Sequence, residues 1–319
     1  MPSFPAMPQA TMKHPPRAAP PSPVVGRFAP SPTGRLHFGS LLAALASHCD
    51  ARSRGGRWLV RIDDLDAARA IPGMDADILR TLEAYGFSWD GEVAYQSRHL
   101  AQYEAAFATL RDRGWLYPCG CSRRDLAEAP RAIDGSTLYP GTCREGLPPG
   151  RTARAWRFRA EGCVVFDDRI QGRVVEDLPR EVGDFVVKRA DGVFAYQLAV
   201  VIDDALGGVT DVVRGADLLG STARQIALHR ALGLPVPRYA HLPVAVDARG
   251  DKLSKQTRAR PLEAAEASVR LAQALDFLGH TPPAELRGAP PAELLAWAVA
   301  HWKIDEVPAL RQCLHPDGL

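Results

Sequence analysis

The chain is short of lysine: of its 39 basic residues only five, at positions 13, 188, 252, 255 and 303, are Lys. It has no uninterrupted apolar run near the ~20 residues needed to cross a bilayer, and its N-terminus has no secretory apolar core. A soluble, cytoplasmic protein with no membrane attachment is therefore expected. Charge of one sign is not in excess, because the formal net charge is only +2. That excludes a polyanion surface spread over the whole molecule and confines any such surface to patches. Arg123, Arg124, Arg144, Arg151, Arg154, Arg157 and Arg159 are candidates for a patch, and a solvated face explains them equally well. A serine-hydrolase elbow is missing, so acyl-enzyme chemistry of that kind is not indicated.

What is present is concentrated in two segments. Val24 and Val25 begin an apolar strand, Pro30, Pro32 and Gly34 turn the chain, and Gly39-Ser40 open the apolar helical run Leu41-Leu42-Ala43-Ala44-Leu45. This order delivers His37 to a helix entrance, where unpaired backbone N–H groups and the helix dipole favour a phosphate. An isolated corner of this kind also suits a merely packing histidine. The second segment is Asp251-Lys252-Leu253-Ser254-Lys255-Gln256, preceded by an apolar stretch at 242–246 and a turn at 247–250. It holds two of the five lysines, each a compact mobile charge suited to following a pyrophosphate.

Six cysteines, unevenly spaced and without a signal peptide, indicate reduced thiols. Cys119, Cys121 and Cys143 are three candidate thiolates for a zinc ion, which takes about four ligands. No histidine lies between positions 99 and 229, so a fourth ligand has to come from elsewhere. Ordinary buried thiols remain the alternative, and Cys49, Cys163 and Cys313 read as structural.

Hydrophobic periodicity predicts a strand at 58–62, followed at its end by Asp63, and helices at 75–85 and 97–113, the latter with Leu100, Tyr103, Phe107 and Leu110 on its core face. Strands follow at 155–158 and 162–166, then a hairpin of 185–188 with 193–196 through Asp191-Gly192. A helix at 197–205, a strand at 209–213 and helices at 221–232, 261–278 and 291–302 complete the pattern. Such alternation predicts an α/β fold with a parallel sheet flanked by helices. Arg27 offers a planar two-pronged donor, and Asp63, at a strand's carboxyl end, offers an acceptor.

The His37 and lysine segments resemble the paired signature motifs of class I aminoacyl-tRNA synthetases, of the His-Ile-Gly-His and Lys-Met-Ser-Lys-Ser types, and 27–40 resembles the glutamate branch specifically. Ser40 stands where the generic signature has its second His, and Gln256 where it has its final Ser. The resemblance implies a Rossmann-like parallel sheet split by a zinc-containing insertion. Its expected divisions are a disordered proline-rich extension (1–23), a first catalytic half (24–118), the zinc-binding insertion (119–184), a second half with the lysine loop (185–260) and a short helical C-terminal region (261–319). It also implies ATP, with Mg2+, on His37, Gly39, Ser40, Lys252, Ser254 and Lys255, of which His37, Lys252 and Lys255 are catalytic.

For the amino acid, L-glutamate, the resemblance implies a pocket of Arg27, Phe28, Ala29, Pro30, Ser31, Asp63, Tyr196 and Arg214, with Asp63 where family members often carry Glu. One structural Zn2+ is implied on Cys119, Cys121, Cys143 and the Tyr139 phenol. Full-length glutamyl-tRNA synthetases carry a large anticodon-reading module beyond the lysine motif, for which residues 261–319 are too few. The truncated branch of the family instead passes glutamate from an adenylate to the queuosine base in the anticodon loop of tRNA(Asp), and that reaction, by a monomer, is the expectation here. The alternatives are a minimal synthetase charging a tRNA 3′ end, a non-catalytic tRNA-binding paralogue and an unrelated nucleotidyltransferase.

Overall fold

The computed structural model describes residues 23–132, 135–247 and 260–316. Lys252, Ser254 and Lys255, and all but the last residue of the proline-rich extension, lie outside them. In chain order the elements are β1 (Val25–Phe28), α1 (Phe38–Arg52), β2 (Arg57–Ile62), α2 (Met74–Ala84), β3 (Ala94–Tyr95), α3 (Leu100–Asp112), β4 (Leu116–Cys119), β5 (Ala155–Phe158), β6 (Cys163–Asp168), β7 (Gly172–Asp177) and β8 (Phe185–Lys188). There follow α4 (Tyr196–Leu206), β9 (Asp211–Gly215), α5 (Leu219–Leu232), β10 (Arg238–Leu242), β11 (Val244–Val246), α6 (Ala267–Phe277), α7 (Pro291–His301) and β12 (Gln312–Leu314). Among the described residues no helix is long and apolar enough to cross a membrane.

β1, whose four residues are all buried, pairs in parallel with β2, Val25 facing Arg57 and Phe28 facing Val60, and β2 pairs in parallel with β3. β9 pairs in parallel with β10 from Asp211–Arg238 to Gly215–Leu242. The two groups meet where Thr210 N–H donates to Val25 O at 2.9 Å and Thr210 Oγ1 accepts from Val25 N–H at 2.9 Å. From β1 the chain winds through α1 to β2 on one side, and from β9 through α5 to β10 on the other. In a doubly wound sheet the crevice at this reversal, beyond the strands' carboxyl ends, is the place for a ligand.

Both faces of the sheet are covered. On one, Leu41, Leu45, Trp58, Ile62, Leu271, Leu275 and Leu294 join α1 and β2 to α6 and α7. On the other, Tyr103, Phe107, Leu110, Leu198, Val201 and Ile226 join α3, α4 and α5. The stretch 119–184 contains no parallel pair among the described residues: β5 runs antiparallel between β4 and β8, and β6 and β7 form an antiparallel hairpin.

Four expectations change. Leu100 begins α3 but is 52% exposed, so the helix's core face starts at Tyr103. The turn after β8 forms, with Arg189 N–H bonded to Val193 O at 2.8 Å, yet its second arm makes a single bridge, Phe194 to Lys188. Tyr196 is therefore the first residue of a helix and not the end of a strand. The helix expected from 261 begins only at Ala267, after one tight turn at Ala264–Glu266. The C-terminal region is not purely helical, since β12 pairs in parallel with β11.

Candidate active site

A cleft of about 200 Å³ opens at the reversal point. Arg27, Phe28 and Ala29 line it from the end of β1, His37, Gly39 and Ser40 from the start of α1, Asp63 from the end of β2, Tyr196 from the start of α4 and Arg214 from β9. Two expected residues sit differently. Pro30 holds the floor together, its carbonyl accepting the Asp63 N–H at 2.9 Å. Ser31 lines an adjoining cleft of about 190 Å³ with Asp63, Asp66, Arg69, Arg189 and Tyr196.

His37 is the N-cap residue of α1 in extended conformation, so the backbone turns into the helix at the imidazole. Its N–H donates to Ser40 Oγ at 3.4 Å, one half of a capping box. The lysine segment is outside the described residues, but the chain on either side of it borders this cleft. Val244 and Ala245 of β11 line the cleft, and Pro261 forms a bridge with His37.

Beneath the cleft lies a buried charge network that the sequence reading missed. Arg27 Nε donates to Asp204 Oδ1 at 3.2 Å. Arg61 Nη1 donates to the same oxygen at 2.7 Å, and its Nε donates to Asp63 Oδ1 at 2.7 Å. Asp203 closes the network, accepting from Gln96 Nε2 and from Tyr103 Oη, each at 2.7 Å. Burial pushes the Asp63 carboxyl up to about 6; Arg61 opposes this, while Asp203 and Asp204 add to it. For Asp204 burial also pushes upward, but Arg27 and Arg61 prevail and hold it below the ordinary value. An Asp-Asp pair closing the apolar run of residues 198–202 was the available signal, because buried carboxylates require buried cations.

Arg214 is held from behind. Its Nε donates to His241 Nε2 at 3.0 Å and its Nη2 to Thr222 Oγ1 at 2.9 Å, while Nη1 is buried without a hydrogen-bond partner among the described residues. His241 Nδ1 in turn lies 2.6 Å from Asp168 Oδ2. Burial lowers His241 to about 4. Burial would raise Asp168, but the bonds from His241 and from backbone N–H groups hold it near 2, so the pair is a neutral imidazole on a carboxylate.

Cys119, Cys121 and Cys143 bring their sulfur atoms within 4.8 Å of one another. Tyr139 Oη lies 3.4 Å from Cys119 Sγ and 3.5 Å from Cys121 Sγ, and Cys121 and Cys143 sulfurs are 3.7 Å apart. Four ligands on a tetrahedral zinc with sulfur at ~2.3 Å would have sulfurs ~3.8 Å apart, so this donor set fits the ion. Arg157, read earlier as part of a surface patch, is buried against it: Nε is 3.3 Å from Cys119 Sγ and the guanidinium lies over the Tyr139 ring. Burial raises the Cys119 thiol, but Tyr139 and Arg157 outweigh it and lower its pKa.

A family model described as tRNA synthetases class I (E and Q), catalytic domain, matches residues 23–270. The glutamyl-Q tRNA(Asp) synthetase of Aromatoleum aromaticum is 58% identical over 299 residues, covering 94% of each chain. The enzyme of the same name from Thiobacillus denitrificans is 58% identical over 289 residues, 90% of this chain and 96% of that one. A crystal structure of a glutamate tRNA ligase from Elizabethkingia meningosepticum, in complex with its amino acid, has a TM-score of 0.74 at 23% identity, over 92% of this chain and 67% of that chain. That last likeness is one of fold.

Proposed function

This chain belongs to the class I tRNA synthetases (E and Q), within the glutamyl-Q tRNA(Asp) synthetase family, and from that premise we propose that it activates L-glutamate with ATP and transfers it to the queuosine base in the anticodon loop of tRNA(Asp). The observation that carries this reading is the lining of one cleft: Arg214, whose Nη1 is buried without a hydrogen-bond partner among the described residues, the Asp63 carboxyl, and a helix N-terminus with a histidine at its cap.

In this reading Arg214 Nη1 takes a substrate carboxylate, with Arg27 adding positive potential, and Asp63 takes the ammonium while Tyr196 closes the side. The residues of 28–31 shape the wall. The α-carboxylate oxygen attacks the α-phosphorus of ATP, the bond to the bridging oxygen breaks and pyrophosphate leaves. Charge gathering on the phosphate oxygens is met by the α1 N-terminus with Gly39 and Ser40, by His37, and by Lys252, Ser254 and Lys255 of the lysine segment, an electrostatic form of catalysis. Magnesium carried with ATP would neutralise further phosphate charge.

For the second step a hydroxyl of the acceptor base attacks the activated carbonyl carbon and AMP departs. The adjoining cleft shares Asp63 and Tyr196 with the first, which supports it as the entry for that base. Cys119, Cys121, Cys143 and Tyr139 would hold a zinc ion that braces the stretch 119–184.

Labelled glutamate and ATP offered to tRNA(Asp) with and without queuosine, each with its terminal adenosine intact or removed, test the proposal. Label is expected on the queuosine-bearing tRNA alone. Label only on tRNA with an intact 3′ end would identify a 3′-charging synthetase, and no label on any tRNA would leave a binding paralogue.

A further inference from the structure

Behind Arg214, the bond from its Nε–H to His241 points to one arrangement of protons, which the Thr222 hydroxyl, 3.2 Å from the same His241 nitrogen, can join as a donor. A guanidinium Nε carries a hydrogen and cannot accept, so the His241 nitrogen 3.0 Å from it must present a lone pair. The imidazole proton therefore sits on Nδ1, facing Asp168 Oδ2 at 2.6 Å. Asp168 is held in turn: its Oδ1 accepts the backbone N–H groups of Ile170 at 3.0 Å, Gln171 at 2.9 Å and His241 at 3.1 Å. Both side chains are fully buried. Asp168 ends β6, in the stretch 119–184, and the hairpin turn after it docks on β10 through Arg169 N–H to Tyr239 O at 2.9 Å and Gln171 Nε2 to His241 O at 2.8 Å.

We propose that Asp168 and His241 are positioning residues for amino-acid recognition: the carboxylate selects the Nδ1–H tautomer of His241, whose Nε2 grips Arg214 Nε and leaves Nη1 directed at the substrate carboxylate. The relay rests on the reading of the cleft as a glutamate site. Through it the β6–β7 hairpin, which does not line that cleft, sets the direction of the guanidinium that recognises substrate. Asp168→Asn is informative because three backbone donors hold one oxygen in place. The new amide group must then face His241 Nδ1, driving the proton to Nε2, against the Arg214 N–H.

The test pairs kinetics with a spectrum. In ATP–pyrophosphate exchange, His241→Asn and Asp168→Asn are expected to raise the KM for glutamate about tenfold or more, the scale of one lost charge-assisted bond, with the KM for ATP within about twofold. His241→Gln, whose side-chain oxygen reaches the place of Nε2, should restore most of the loss. Nitrogen-15 NMR of the histidine-labelled wild-type protein, without substrate, should show His241 protonated at Nδ1 with an accepting Nε2. A proton on Nε2, or a His241→Asn variant with wild-type KM for glutamate, or His241→Gln as impaired as His241→Asn, would overturn the relay. A wild-type protein without glutamate-dependent exchange would instead overturn the functional reading and the role in recognition with it, while the spectrum still decides the tautomer.

Discussion

Asp63 bonds to Arg61 from below while lining the cleft above, and it can hold an ammonium only as an anion. Its carboxyl is raised to about 6 by burial, so the anion is present above that pH and is lost as the pH falls through it. The KM for glutamate is expected to climb on lowering the pH from 7.5 to 5.5, and this dependence should vanish in Asp63→Asn, whose KM is high throughout; an unaltered pH profile in that variant would remove Asp63 from the site. Arg214→Ala deletes charge-assisted bonds of roughly 1.5–3 kcal/mol, which predicts a loss of about 10- to 100-fold in kcat/KM for glutamate. The sequence offered Arg27 and Asp63 as candidates from their chemistry and placement, and Tyr196 and Arg214 through the motif resemblance; the structure brings all four to one cleft. Arg61, Asp203, Asp204, Asp168 and His241 were not among the candidates, because each acts on a partner distant in sequence, Arg61 on Asp204 and Asp168 on His241, and no local spacing encodes those pairs.

The elements that carry the site are held close by small residues. Gly56, between α1 and β2, leaves so little room that a Cβ there would lie 2.5 Å from Val24 O and 2.9 Å from Ala51 O, both backbone atoms that cannot turn aside. Gly56→Ala is therefore expected to cost about 1–3 kcal/mol, read as a lowered melting temperature in thermal unfolding. At the far end of the chain, β12 pairs with β11, whose Val244 and Ala245 line the cleft, and the His315 ring packs edge-on against Phe38 at the start of α1. Deleting residues 312–319 should raise the KM for ATP or glutamate as well as lowering stability. The strongly patterned elements were legible: the strand at 58–62 and the helix at 75–85 lie within one residue of β2 and α2. β12 escaped because three residues with an exposed Leu314 carry no periodicity, and the arm at 193–196 because a good turn signal does not fix how many rungs follow it.

At the scale of the whole molecule, a parallel sheet carries the cleft while the stretch 119–184 carries the thiol cluster, so a metal held there would be separable from the chemistry proposed for the cleft. Cys143→Ser is expected to reduce zinc from about one ion per chain to none, with glutamate-dependent pyrophosphate exchange retained and transfer to tRNA impaired. Unchanged metal content by elemental analysis would contradict the site. The most direct test of the account is ATP–pyrophosphate exchange by the purified chain without tRNA. Exchange that requires glutamate, is not supported by aspartate, and collapses in His37→Ala, Arg214→Ala and Lys255→Ala is the predicted result; exchange indifferent to glutamate, or intact in those variants, would contradict it.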